Sequence, residues 1–234
     1  MTEEEIWSYY QNFFDRIGKS KENIIHIQNF MTQEEISLVM NYIDKYKDDQ
    51  NFSGGRTITI KQIYSEHPDL YKIIENYSDR IYNLIQEKYC QKYNIKVKRM
   101  PWNPFHIVKW KPEMASGLHS DCQYPDGSPL MKSNYYKLNI TALIYPNDNY
   151  VGGEIGWPDY NLEIKPKAGD MVLFPANNYY LHYVNHVISG LRFTLPTWFT
   201  FDIGKEIPNT PYIESASKNL WVNEGEDTSH LRQY

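Results

Sequence analysis

A histidine and a carboxylate two residues apart, His119 and Asp121, share this chain with a second histidine, His182, that stands ten residues before Arg192. Two imidazoles and one carboxylate can occupy one face of a metal ion and leave the opposite face open. With open positions, that set favours Fe(II) oxygen chemistry over a closed structural site. Arg192 adds a permanently charged fork suited to gripping a carboxylate at two points. One metal ion and one dicarboxylic co-substrate are the working expectation. Taken alone, His119 and Asp121 are a weak signal, because a polar strand end or turn has the same composition. On an extended strand, however, they project to one side and can reach one metal. His186 lies four residues beyond His182, so strand parity leaves it open as the alternative second ligand. His106, within an apolar run, reads as a core or rim histidine.

These residues need a scaffold, and the sequence supplies two kinds of element. Ile6, Tyr9, Tyr10, Phe13, Phe14 and Ile17 recur at helical spacing over 3–17. Residues 24–30 read as a short strand. Thr32 with Glu35 forms a capping box that opens a helix running to about Lys45. Residues 48–57, with Gly54 and Gly55, read as an exposed loop. Pro68 starts a long helix whose stripe runs from Leu70 through Ile74, Tyr77, Ile81 and Ile85 to Tyr89. From residue 95 the pattern changes to short β-branched or aromatic segments: 95–100, 104–111, 136–145, 153–157, 161–165, 170–175, 182–187 and 191–201. Strands at that spacing suggest an all-β sandwich or jelly roll. Helices first and strands after place the helices on one outer face. The expectation is an α+β chain, mainly β, with a double-stranded β-helix core.

Length and composition bound the rest. The 234 residues suit a single domain: a helical support region at 1–95, a catalytic core at 96–201 and a tail at 202–234. Aromatics make up 15% of the chain, 21 of them Tyr, which favours a strand-rich core. A net charge of −5 gives no general basic field for nucleic acid. The acidic N-terminus has no signal-peptide layout, and no apolar run is long enough to span a membrane, so a cytoplasmic location is expected. Cys90 and Cys122 are spaced for neither a zinc knuckle nor a redox pair.

The stretch His182 to Arg192, with Val184, Val187 and Gly190 between, resembles the C-terminal signature of the 2-oxoglutarate/Fe(II) dioxygenases, in particular the prolyl 4-hydroxylase-like branch. Other landmarks follow in order. Trp110 stands nine residues before His119, where the family usually has Tyr. Tyr136–Tyr145 is similar to the family's core strand, with Thr141 and Tyr145 at matching positions. Gly152, Gly153 and Glu154 match its Gly-Gly-Glu element. Pro166, Gly169, Asp170, Leu173 and Phe174 match the strand before the second histidine. Two positions depart from the pattern: Glu113 and Ser116 stand where the family often has Gly and Tyr. Many prolyl hydroxylases also carry Lys where Arg192 stands.

The resemblance implies roles. His119, Asp121 and His182 would hold Fe(II). Arg192 and Tyr145, with Thr141 assisting, would hold the distal carboxylate of 2-oxoglutarate. O2 would be the oxidant, 2-oxoglutarate would be decarboxylated to succinate, and ascorbate is a candidate reductant. The implied reaction is hydroxylation of an unactivated C–H, first of all in a prolyl residue of a peptide or protein. Alternatives are a free amino acid or small metabolite, a nucleobase, or a non-catalytic jelly-roll binding module. The loops 48–57 and 125–135 could close over a peptide. Trp198, six residues beyond Arg192, reads as core or pocket wall, and Cys122 as a small buried residue that a bound metal could expose to oxidation.

Overall fold

The structure is a computed structural model that describes residues 2–48, 67–95, 105–131 and 135–200, and the backbone of 57–59. Positions 96–100 of segment 95–100, most of loop 48–57, positions 132–134 of loop 125–135 and the tail 202–234 lie outside the described residues.

Among the described residues, three α-helices form the support. Helix α1, Glu3–Ile17, begins with a capping box in which Thr2 and Glu5 satisfy each other's backbone N–H groups, and it ends at Gly18 with φ +63°. It buries Ile6, Tyr10, Phe13, Phe14 and Ile17, whereas Tyr9, counted on the apolar stripe, is 40% exposed. Helix α2, Gln33–Tyr46, opens with the expected Thr32/Glu35 box. Helix α3, Pro68–Ile85, starts on its proline, whose missing N–H costs nothing at a first turn. A π-helical turn, Gln86–Gln91, then carries the buried stripe on to Tyr89. The Tyr89 hydroxyl reaches the carbonyl of Asn23 at 2.7 Å. Arg80 on α3 binds both carboxylate oxygens of Glu35 at 2.9 and 3.2 Å, so the residue that caps α2 also ties α2 to α3.

The strands are β1 Ile25–Ile27, β2 Thr57–Thr59, β3 His106–Trp110, β4 Ser116–His119, β5 Ile140–Ile144, β6 Val151–Gly152, β7 Ile155–Trp157, β8 Leu162–Ile164, β9 Met171–Pro175, β10 His182–Val184, β11 Val187–Ser189 and β12 Arg192–Phe199. All pairings are antiparallel. A six-stranded sheet runs β1-β9-β5-β12-β3-β2, a four-stranded sheet β4-β10-β7-β8, and β11 pairs with β6 as a two-stranded arm. This is the jelly-roll arrangement, with helices against one face. Strand alternation divides the large sheet between two cores. Ile107, Ile140, Ala142, Ile144, Met171 and Leu173 pack against the helices. Val108, Trp110, Tyr145, Val172 and Phe174 face the opposite way and meet Ile155, Trp157 and Val184 of the smaller sheet. The second core is the barrel interior.

Several boundaries differ from expectation. Segment 136–145 is a strand only from Ile140, because Tyr135–Lys137 form a 3-10 turn. Segment 182–187 is two strands, broken at Asn185 and His186. Strand β4 carries too few apolar residues to stand out in sequence. Cys90 and Cys122 are buried and unbridged. Among the described residues no helix is long and apolar enough to cross a membrane. Thr32→Ala removes the hydroxyl that accepts from the Glu35 N–H, and is expected to lower stability by about 1 kcal/mol in urea denaturation. An unchanged midpoint would mean that the Glu35–Arg80 pair alone holds this end of α2.

Candidate active site

Antiparallel register brings the two histidines together. His119, the last residue of β4, lies directly opposite His182, the first residue of β10, and their ring centres are 4.3 Å apart. Asp121 arrives by a different route from the one strand parity suggests. Strand β4 ends at His119, and the chain bends so that the N–H groups of Asp121 and Cys122 both donate to the Ala176 carbonyl, at 3.0 and 3.1 Å. The bend leaves Asp121 Oδ1 3.8 Å from His119 Nε2. One ligand atom from each of His119, Asp121 and His182 lies within 4.8 Å of the others.

Each member of this trio is oriented from behind. His119 Nδ1 sits 2.8 Å from the Gly117 carbonyl and His182 Nδ1 3.1 Å from the Tyr180 carbonyl. A carbonyl only accepts, so both rings carry their proton on Nδ1 and turn a lone pair outward on Nε2. Thr141 on β5 donates its hydroxyl to Asp121 Oδ2, leaving Oδ1 facing His119. His182 is 4% exposed, against Phe174 at 4.8 Å and Trp157 at 6.2 Å between ring centres. Burial, reinforced by the nearby His119 and opposed by Asp121, pushes its pKa down to about 4. A ring held neutral is one with a lone pair ready for a cation.

Deeper in the same interior lies Arg192, 1% exposed. It opens β12 opposite Trp110 of β3. Its guanidinium carbon is 4.9 Å from the Trp110 ring centre and 5.2 Å from that of Tyr145. Arg192 Nε and Nη1 and the hydroxyls of Tyr145 and Tyr150 are buried and make no well-aligned hydrogen bond among the described residues, although both phenol oxygens lie near enough to the guanidinium to accept from it. Burial pushes both phenol pKa values up, and the Arg192 charge pulls against it in each case. Gly153 makes the approach possible: a Cβ there would come within 2.8 Å of Arg192 Cδ. A set of buried donors around a fixed cation, with no carboxylate paired to it among the described residues, matches a two-oxygen anion. The donor set of the trio likewise fits a divalent cation with open positions.

The sequence-derived candidates separate clearly. His119, Asp121 and His182 converge; Arg192 and Tyr145 line the same interior; Thr141 sits on Asp121. His186 does not join them. It is exposed, beyond the break between β10 and β11, with Nδ1 3.1 Å from the Glu113 carbonyl. Glu113 adopts φ +71°, the left-handed backbone that explains a glycine preference at this position. His106 stacks on Trp198, with ring centres 5.8 Å apart. Tyr150, Trp157 and Phe174 were not singled out from sequence as site residues. The one available signal was an aromatic residue just before the Gly152-Gly153 pair.

Residues 105–200 match the 2OG-Fe(II) oxygenase superfamily. A PKHD-type hydroxylase of Prochlorococcus marinus is 25% identical over 206 residues, which cover 83% of this chain and 87% of the relative. A viral collagen prolyl hydroxylase of Paramecium bursaria Chlorella virus-1 superposes with a TM-score of 0.57 at 17% identity, covering 77% of this chain and 96% of its own. A prolyl hydroxylase of Trichoplax adhaerens, solved with a hypoxia inducible factor oxygen degradation domain peptide fragment, superposes with a TM-score of 0.56 at 15% identity, covering 85% and 91%. At those identities the structural likeness is one of fold. Residues 105–200 thus resemble a 2OG-Fe(II) oxygenase domain, and the fold is shared with prolyl hydroxylases.

The hydroxyl on Asp121 gives a test of the trio. Thr141→Val keeps the side-chain shape and removes the hydrogen bond. It is expected to weaken Mn(II) binding by roughly 10- to 100-fold in calorimetric titration, with the melting temperature little changed. Equal affinity in the variant and the parent would mean that Asp121 is not a ligand or needs no support.

Proposed function

We propose that the chain uses Fe(II), 2-oxoglutarate and O2 to hydroxylate an unactivated C–H, and that its substrate is a prolyl residue in a peptide or protein. The observation that carries this reading is a three-donor cluster and a buried, acceptor-less guanidinium lining one barrel interior. In the proposed roles, His119, Asp121 and His182 hold the iron through His119 Nε2, His182 Nε2 and a carboxylate oxygen. Thr141 fixes the Asp121 carboxylate. Arg192 takes the distal carboxylate of 2-oxoglutarate, with the Tyr145 hydroxyl beside it. When bound, the iron and co-substrate supply the oxidising power, with 2-oxoglutarate decarboxylated to succinate and ascorbate the candidate reductant that keeps the metal as Fe(II).

The remaining work belongs to this chain's own residues. Trp110, Trp157 and Phe174 exclude water and lower the local dielectric, which strengthens the grip of Arg192 on an anion. No side chain is required to remove a proton from the substrate carbon, so the cluster needs no additional base. The prolyl class is supported by the named relatives: a collagen prolyl hydroxylase and a peptide-bound prolyl hydroxylase share the fold.

The test is release of succinate from 2-oxoglutarate, dependent on Fe(II) and O2, with mass analysis of proline-containing peptides for one added oxygen, roughly +16. Turnover should rise with a prolyl peptide, and His119→Ala should reduce it to the no-enzyme background. Full turnover in His119→Ala would reject the ligand assignment. Stimulation by free amino acids or nucleobases but by no prolyl peptide would reject the substrate class and leave the oxygenase standing.

A further inference from the structure

The anion pocket around Arg192 contains one donor more than the family resemblance accounts for. Tyr150 precedes the Gly152-Gly153 turn on the loop after β5, and its side chain is 6% exposed. Its hydroxyl is buried beside the Arg192 guanidinium, which only donates, so the phenol proton has no acceptor among the described residues. The Arg192 charge pulls on that hydroxyl, as it does on Tyr145. A Cβ on Gly153 would lie 2.8 Å from Arg192 Cδ and 3.3 Å from Tyr150 Cε2, so the arginine stem and the Tyr150 ring lie side by side beneath that glycine.

The ring is also clamped. Lys165 Nζ lies 4.0 Å from the Tyr150 ring centre, on the side of the pocket where it bonds the Gly152 carbonyl and sits 3.6 Å from Glu154 Oε1. Gly190 closes the other side: a Cβ there would come within 3.0 Å of Tyr150 Cα. Lys165 is therefore occupied by a carboxylate and a carbonyl, and the Tyr150 proton is left with no acceptor among the described residues. A buried donor left unpaired is unfavourable, and such groups in native proteins call for an explanation. Two phenols and a guanidinium around one point offer more donors than one carboxylate oxygen can use. They suit both oxygens of a carboxylate, each of which accepts more than one bond.

We propose that Tyr150 is a second phenol donor to the distal carboxylate of the 2-oxo acid, so that Tyr145, Tyr150 and Arg192 together select a dicarboxylate over a 2-oxo monoacid. This inference rests on the co-substrate assignment made above and adds a residue to it. Tyr150 is a binding and selectivity residue and takes no part in the oxidation.

The experiment is equilibrium calorimetry on the full chain loaded with Mn(II), without oxygen, comparing 2-oxoglutarate with 2-oxopentanoate, which has the same chain length and no distal carboxylate. The unmodified protein should prefer 2-oxoglutarate. Tyr150→Phe keeps the ring and its packing. It should lower 2-oxoglutarate affinity about tenfold, the loss expected for one hydrogen bond to a charged group, and leave 2-oxopentanoate affinity unchanged. An affinity for 2-oxoglutarate within about twofold of the parent would overturn the role of Tyr150 while leaving the co-substrate assignment intact. Equal loss for both ligands would also overturn it, since the hydroxyl would then be serving the metal or the packing. An unmodified protein that binds the two acids equally would overturn the co-substrate assignment and this inference together.

Discussion

A guanidinium keeps its proton at any pH a protein meets. Placing Arg192 at 1% exposure inside the barrel therefore gives the interior a fixed positive charge suited to an anion. A desolvated charge without a counter-ion costs several kcal/mol, more than a marginally stable chain can carry without a compensating partner. The neighbourhood is shaped around that charge. Trp110 and Tyr145 offer ring faces to the cation, the donors of Tyr145 and Tyr150 point at the same region, and Gly153 removes the one side chain that would collide with the arginine stem. An anion held there would give acceptors to the buried Arg192, Tyr145 and Tyr150 donors.

The cluster of His119, Asp121 and His182 depends on sheet register in the same strict way. His119 and His182 meet because β4 and β10 pair with those two residues opposite each other. A slip of one residue would turn either ring out of the barrel. Asp121 depends on a bend locked by two N–H groups on a single carbonyl, that of Ala176 at the end of β9. Since β9 is sandwiched between β1 and β5, the helical support and the cluster are mechanically connected through it. The helices thus have a function beyond covering apolar surface: they hold the sheet whose end positions the carboxylate.

Much of this was legible in the sequence, for identifiable reasons. His119, Asp121 and His182 stand out through their order and spacing before Arg192, a charged residue between Leu191 and Phe193 on an apolar strand. The helices were legible because caps and apolar period are local: Thr32 with Glu35, and the stripe from Leu70 to Tyr89. What was not legible depended on contacts distant in sequence. Strand parity treats His182 and His186 alike; only the break between β10 and β11 turns His186 outward to the Glu113 carbonyl. Asp121 comes from a bend rather than from strand alternation, and nothing in residues 119–121 encodes the Ala176 acceptor. Tyr150 is one of 21 tyrosines, and its hydroxyl becomes informative only when the fold leaves it buried beside a cation without an acceptor.

The most direct measurement is X-ray diffraction, with anomalous scattering, from crystals grown in Mn(II) and 2-oxoglutarate without oxygen. The expected result is a single strong metal peak bonded to His119 Nε2, Asp121 and His182 Nε2, with one end of the dicarboxylate at the metal and the other on the Arg192 guanidinium. A metal peak elsewhere, or a distal carboxylate pointing away from Arg192, would contradict the account.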